Sequence, residues 1–586
     1  MTQYRAPVTD LMFWLKEVVG LADVLPPDYG LEDAGTILTE AGRFAEGVLA
    51  PLNRSGDRRG AVLHEGRVDV SPGYADGWRQ FVHAGWNSLS GSPEHGGQGF
   101  PTAVAAAVSE IWNGAGMAFA LCPILTQGAA ECLERVGSEA LKARYLAPLI
   151  EGRWTGTMNL TEAQAGSDLA ALRTKAERAG DHYRLTGQKI FITFGDHEMA
   201  ENIIHLVLAR LPDAPPGVKG ISLFVVPKYR VQPDGSLGPR NDVQCVSLEH
   251  KLGIHGSPTA VMSFGDQEGA FGELVGEENR GLEYMFIMMN NARLNIGVQG
   301  IGVAERALQE ATAFARTRVQ GRPAGSKTIG PILGHPDVRR MLVNCRVRIE
   351  AARALALEAA VALDKGRSGS GDAHWLARGE LLIPIVKAWS TDMGVSVAST
   401  ALQVYGGMGY IEETGAAQHY RDARIAPIYE GTNGIQANDL LSRKLLRDRG
   451  EALALLILDV RDTLAALAAG TGDDLASLHQ HLSAAVEAVE TAANWLLQQD
   501  DMPVCLAAAV PFLELLGTTL GGWMLARGAL AAQQKLYAGQ DAGGFHEGKL
   551  IGARVFAENE LVRTPGLALT VMSAGRSLLA YPADLL

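Results

Sequence analysis

Residues 421–436 read RDARIAPIYEGTNGIQ. Glu430 follows the Tyr429 ring and precedes Gly431, Thr432, Asn433 and Gly434, a run of turn formers set between two apolar patterns. Most surface glutamates lie solvated on helix faces. A carboxylate beside an aromatic ring at the mouth of a turn sits where function often collects. Burial there would disfavour the charged form and raise its pKa toward that of a working base.

The character of the chain changes on moving outward from this turn. Residues 1–155 read as helical, with an Ala-rich run at 102–136 and a loop by composition at 90–101. From 156 to 275 the segments are short, β-branched or aromatic, and bounded by Gly, Pro and Asp, as expected of strands in an antiparallel sheet. Long amphipathic helices follow over 276–446, as in a bundle, with GRSGSGD (366–372) as a surface connection. Residues 447–586 form a further Ala/Leu-rich helical region. Segregated helices, strands and helices of this kind imply an α+β chain rather than an alternating parallel sheet.

The bulk numbers exclude several classes. A chain of 586 residues is too long for one core. Its 52 Lys+Arg against 65 Asp+Glu give a net charge of −13, which argues against non-specific nucleic-acid binding. The cysteines (122, 132, 245, 345 and 505) form no CxxC pair, which fits a reducing cytoplasm and no disulfide framework. The N-terminal stretch carries Asp10, Lys16 and Glu17 around its apolar run and makes a poor signal peptide. The most apolar region, 504–532, is interrupted by Pro511, Glu514 and Arg527, so no integral membrane segment is expected. The histidines show no HxxxH or HExxH spacing, and no metal site is expected.

The nucleotide fingerprints GxGxxG after a strand and GxxxxGK[ST] are absent. LTEAQAGSDL (160–169) reads either as a loop with Ser167–Asp168 capping a helical turn or as a small-residue strip against a planar ligand. KIFITFG (189–195) reads either as a half-buried strand, with Phe191 and Thr193 sharing a face, or as an aromatic wall and a hydroxyl against a ring system. GGMGY (406–410) follows a helix and reads as its C-cap and turn, with a cofactor loop as the other possibility. MFIMMNN (285–291) is helix core or a Met-lined pocket.

Taken in order, these segments resemble the acyl-CoA dehydrogenase family over about residues 30–445. Thr161–Asp168 is similar to the family pattern T-E-P-x-A-G-S-D, and Phe191–Gly195 to W-I-T-N-G. Arg318–Arg322 is similar to R-x-Q-F-G, and Gln403–Tyr410 to Q-x-x-G-G-x-G-Y. Arg421–Gln436 matches R-D-x-x-I-x-x-I-Y-E-G-T-[SN]-x-I-Q. The resemblance implies a helical domain at 1–155, a β-domain at 156–275, a four-helix bundle at 276–446 and an added helical domain at 447–586. It implies FAD as cofactor and an acyl-CoA substrate, with Glu430 removing the α-proton. Thr161, Gly166, Ser167, Phe191 and Thr193 would meet the isoalloxazine or ribityl chain. Arg318, Gln320, Gln403, Gly406 and Gly407 would hold the diphosphate and adenosine end across a subunit interface, and Thr432 would also contact FAD. Ser167, Arg293, Tyr429 and Gly431 would line the substrate site. Ala292 stands where some members carry the base, so Glu430 has no rival.

The departures are Ala163 for proline, Phe191 for tryptophan, Phe194 for asparagine, Gly321 for an aromatic and Arg322 for glycine. The length, with KLGIHGSPT (251–259), is similar to the long bacterial group that includes 3-methylmercaptopropionyl-CoA dehydrogenase and enzymes of fatty acid β-oxidation. The implied setting is a cytoplasmic homodimer passing electrons to an electron-transfer flavoprotein. An acyl-CoA oxidase reoxidised by oxygen, or a flavin-binding protein that has lost catalysis, would share many of these residues.

Overall fold

The runs NIIHLVLAR and ISLFVVP, apolar almost without interruption, become strands whose every residue but one is buried. In the computed structural model, residues 3–367, 373–541 and 543–586 are described; residues 368–372 of the expected surface connection lie outside them. The chain packs as two units. A sheet-bearing unit comprises Phe44–Phe100 and Ala115–Asn295, and a helical unit comprises Met1–Arg43, Pro101–Gly114 and Ile296–Leu586.

The main sheet has eight strands: β1 (Trp154–Asn159), β2 (Lys175–Ala179), β3 (His182–Thr193), β4 (Asn202–Arg210), β5 (Ile221–Pro227), β6 (Val243–Leu248), β7 (Thr259–Phe264) and β8 (Ala270–Leu274). Their order is β6-β7-β3-β8-β5-β4-β1, with β2 pairing β3 and β4. Most pairings are antiparallel, as expected. The β1–β4 ladder is parallel, running from Trp154 opposite Asn202 to Asn159 opposite Val207. Such a pair cannot be joined by a hairpin, and β2 and β3 lie between its strands in the chain. One apolar layer, including Leu125, Leu133, Leu146, Trp154, Leu206 and Met288, packs on one face of the sheet. A second, including Leu185, Val207, Phe224 and Phe264, lies on the other. Burial of both faces explains why the central strands lack alternation.

Helix α1 (Gly281–Thr317) passes from the sheet unit into the helical unit at Ile296. In the helical unit it packs with α2 (Pro336–Arg367) and α3 (Ala373–Tyr405). A Cβ added at Gly394 on α3 would lie 2.7 Å from the Gly300 carbonyl oxygen, so α1 and α3 touch backbone to backbone. The short helices α4 (Ala416–Ala423) and α5 (Asn433–Asp439) flank the Glu430 turn. The C-terminal region adds α6 (Glu451–Ala469), α7 (Asp473–Leu497), α8 (Ala509–Tyr537), α9 (Phe545–Asn559) and α10 (Thr564–Ala580).

A buried charge cluster ties distant parts of the helical unit together. Arg353 on α2 is bonded to Asp10, Glu110 and Glu305, and Lys549 on α9 to Asp10 and Glu350. Thr102–Val136, Ala373–Tyr410 and Ala509–Tyr537 are each long and apolar enough to cross a bilayer by length and composition, which corrects the reading of 504–532 as too interrupted. Of their most apolar windows, 94%, 78% and 83% are buried within the protein.

Candidate functional site

In the sheet unit, the 160–169 loop is locked onto β3. The Ile190 amide donates to the Thr161 carbonyl at 2.9 Å. The fully buried Lys189 ammonium donates to the Leu160 carbonyl at 3.0 Å and to the Glu162 carboxylate at 2.8 Å. Glu162 also accepts from the Arg173 amide at 2.7 Å, the Thr174 amide at 3.0 Å and the Thr174 hydroxyl at 2.6 Å. Burial pushes this carboxyl up, but Lys189 and the hydrogen bonds outweigh it and hold the group at about 2. Burial brings Lys189 down to about 8 against the pull of Glu162. Both therefore stay charged near neutrality.

Further along the loop, the Ala170 amide donates to Asp168 Oδ1 at 3.0 Å, so the capping expectation holds for Asp168. Gly166 and Ser167 are exposed, and Thr161 is half-buried. Strict alternation fails at the end of β3. Ala260 opposes Ile192 while Met262 opposes Lys189, leaving one residue on β7 against two on β3. At this bulge Phe191 takes φ +60° and turns its ring outward, 57% exposed, while Thr193 is half-buried. Phe194 has φ +49°, a left-handed conformation that asparagine adopts more readily. Its ring is buried edge-on against His197, with centroids 5.7 Å apart. Arg293, on the part of α1 in this unit, is buried with its guanidinium 5.8 Å over the Phe286 ring.

In the helical unit, Glu430 is half-buried in a left-handed pair, with φ +55° at Glu430 and +84° at Gly431. The Asn433 amide closes the turn onto the Pro427 carbonyl at 3.0 Å. The Tyr429 hydroxyl donates to Gln299 on α1. Burial, and then the neighbouring Glu430 charge, push the Tyr429 phenol well above its ordinary value. Thr432 caps α5, its hydroxyl accepting from the Ile435 amide at 3.2 Å. Elsewhere in this unit, Phe314 stacks on Tyr405 with centroids 4.3 Å apart, joining the flanks of the Arg318 and Gly406 segments. Arg318, Gln320, Gln403, Gly406 and Gly407 are all exposed. GGMGY forms a short 3-10 turn at the end of α3, as its helix-cap reading expects.

Four family profiles cover most of the chain: acyl-CoA dehydrogenase N-terminal domain over 32–153, middle domain over 157–267 and C-terminal domain over 279–445, and an acetyl-CoA dehydrogenase C-terminal-like profile over 456–582. A 3-methylmercaptopropionyl-CoA dehydrogenase of Ruegeria pomeroyi is 48% identical, the match covering 98% of this chain and 99% of the relative. The chain belongs to the acyl-CoA dehydrogenase family. A butyryl-CoA dehydrogenase of Syntrophomonas wolfei is 32% identical over 99% of both chains. The structure of an acyl-CoA dehydrogenase complexed with FAD from Bacillus anthracis shares the fold, with a TM-score of 0.75, 20% identity, and 97% of this chain and 94% of that chain covered.

As an acyl-CoA dehydrogenase this chain is an oxidoreductase that uses FAD, and the exposed residues suit that group. FAD pairs a flat ring system with a dianionic diphosphate. The sheet unit offers the outward Phe191 ring and, at Gly166, a backbone where an added Cβ would meet nothing within 4 Å. The helical unit offers the exposed Arg318 guanidinium, and at Gly406 and Gly407 an added Cβ would likewise meet nothing within 4 Å. Sequence reasoning assigned no part to Lys189, Gln299, Lys387 or Gln436. A lone lysine within the apolar run LLIPIVKAWS was the one visible signal for Lys387.

Proposed function

We propose that the protein dehydrogenates an acyl-CoA thioester between its second and third carbons, giving the trans-2-enoyl-CoA. The 48% identity to the Ruegeria enzyme favours 3-methylmercaptopropionyl-CoA over ordinary fatty acyl-CoAs. The observation that carries the reading is the half-buried Glu430 carboxylate in a left-handed turn, beside a tyrosine pinned by Gln299. Glu430 takes the proton from the second carbon. The thioester oxygen gains negative charge as the proton leaves, and the Glu430 backbone N–H meets it. FAD, when bound, supplies the acceptor for the hydrogen and electron pair leaving the third carbon.

Thr161, Gly166, Ser167, Phe191 and Thr193 hold the ring and ribityl chain. Arg318, Gln320, Gln403, Gly406, Gly407 and Thr432 hold the rest of the cofactor. Ser167, Arg293, Tyr429 and Gly431 bound the acyl thioester. In this reading the protein works as a cytoplasmic homodimer and passes its electrons to an electron-transfer flavoprotein.

Anaerobic titration of the FAD-loaded protein with 3-methylmercaptopropionyl-CoA and butyryl-CoA tests the reaction by bleaching of the flavin absorbance. Glu430→Gln should keep FAD and slow bleaching by about 10²–10⁴-fold, the usual worth of a general base. Bleaching of that variant at near the wild-type rate would remove Glu430 from the role.

A further inference from the structure

A glutamate with φ above zero followed by a second left-handed residue is not a conformation the chain adopts unaided. Surrounding contacts must hold it. The most unusual of them is Lys387, a lysine in the middle of α3 with no exposed surface. Its Nζ donates to the Gly431 carbonyl at 2.8 Å and to Asn433 Oδ1 at 2.9 Å. Asn433 is fixed in turn, its Nδ2 donating to the Ala388 carbonyl at 3.1 Å and to Thr391 Oγ1 at 3.0 Å. Gln436, also fully buried, reaches back to the Glu430 and Gly431 carbonyls, each at 3.4 Å.

Burying an ammonium is expensive unless it is hydrogen-bonded. A leucine or methionine would fill the same helix position without that cost. What an aliphatic side chain cannot do is grip a carbonyl oxygen. We propose that Lys387 is a positioning residue, anchoring the left-handed turn through Gly431 and Asn433 and so setting the aim of the Glu430 carboxylate at its proton. The role rests on Glu430 being the base. Lys387 itself touches no reacting atom. Misplacing a reacting group by about 1 Å costs roughly 10²-fold in rate, and that is the scale of loss expected when the anchor is removed.

The test uses full-length, FAD-loaded protein and rapid-mixing measurement of flavin bleaching, with 3-methylmercaptopropionyl-CoA and butyryl-CoA, each also deuterated at the second carbon. Lys387→Met should lower the limiting bleaching rate per bound flavin by roughly 100-fold. The half-saturating thioester concentration should stay within about two-fold, and the deuterium isotope effect should equal or exceed that of the wild type. A residue that only stabilises the bundle would lower the loaded fraction or the melting temperature and leave the per-flavin rate and isotope effect alone. That outcome overturns the proposal. If Lys387→Met yields no flavin-loaded protein, Asn433→Ala decides. The same loss of limiting rate supports the anchor, and a wild-type rate refutes it. Glu430→Gln run alongside separates the two ideas. Bleaching by that variant would sink the base assignment itself, whereas a silent Glu430→Gln with a fast Lys387→Met would sink only the anchor.

Discussion

Replacing Glu162 by glutamine removes one charge and almost no volume, from a residue that gathers a lysine, two backbone amides and a hydroxyl. The drop of its carboxyl from an ordinary 4.5 to about 2 on folding corresponds to about 3 kcal/mol favouring the folded state at neutral pH. That agrees with the 3–5 kcal/mol typically lost when one partner of a buried ion pair is removed. At about 2–4 °C per kcal/mol, Glu162→Gln should melt roughly 6–12 °C below wild type.

The pH dependence has a definite sign. In the wild type the Glu162 contribution is complete above about 4.5 and is lost as pH falls toward about 2. In the variant, Lys189, already lowered to about 8 by burial, loses the carboxylate that opposed that fall. The folded variant then releases the Lys189 proton at a lower pH than the folded wild type does, so the deficit is largest near neutral pH and shrinks as pH rises through about 8, above which Lys189 is neutral in both folded proteins. Slow heating followed by release of FAD fluorescence reports the melt, because this pair holds the loop bearing Thr161, Gly166 and Ser167 against β3. A variant melting within about 1 °C of wild type at both pH 7 and pH 9 would show that the ion pair does not hold the loop.

Arg353→Met should lower the unfolding free energy by about 3–5 kcal/mol in denaturant titrations, since it strands buried Glu110 and Glu305. Burial already raises the Glu110 carboxyl despite Arg353, so its protonation at pH 5 should relieve part of that loss; an equal loss at pH 5 and pH 8 would contradict it. Gly394→Ala would place a Cβ 2.7 Å from the Gly300 carbonyl, a rigid backbone neighbour, and should cost about 1–3 kcal/mol by the same titration. Gly548→Ala, on an exposed helix face with nothing within 4 Å, should instead be neutral or stabilising by up to about 1 kcal/mol. Equal effects of the two changes would refute the close helix crossing.

The sequence alone determined the succession of helices, strands and helices, because periodicity and breakers are local properties of the chain. The Glu430 turn and the Asp168 cap were legible for the same reason, each being written in four or five neighbouring residues. The strand alternation read at Phe191 failed because a bulge is set by the opposing strand, where one residue of β7 faces two of β3. Phe194 looked like the loss of a polar group, and folding turned it into a buried ring in a left-handed residue. Lys189, Lys387 and Arg353 gave little warning of their roles, since a buried cation is explained only by its acceptors. Those acceptors lie 27 and 29 residues away for Lys189, 44 and 46 for Lys387, and up to 343 for Arg353. Only the tertiary structure brings such partners within hydrogen-bonding reach, and a buried cation is stabilised only when its acceptors are that close.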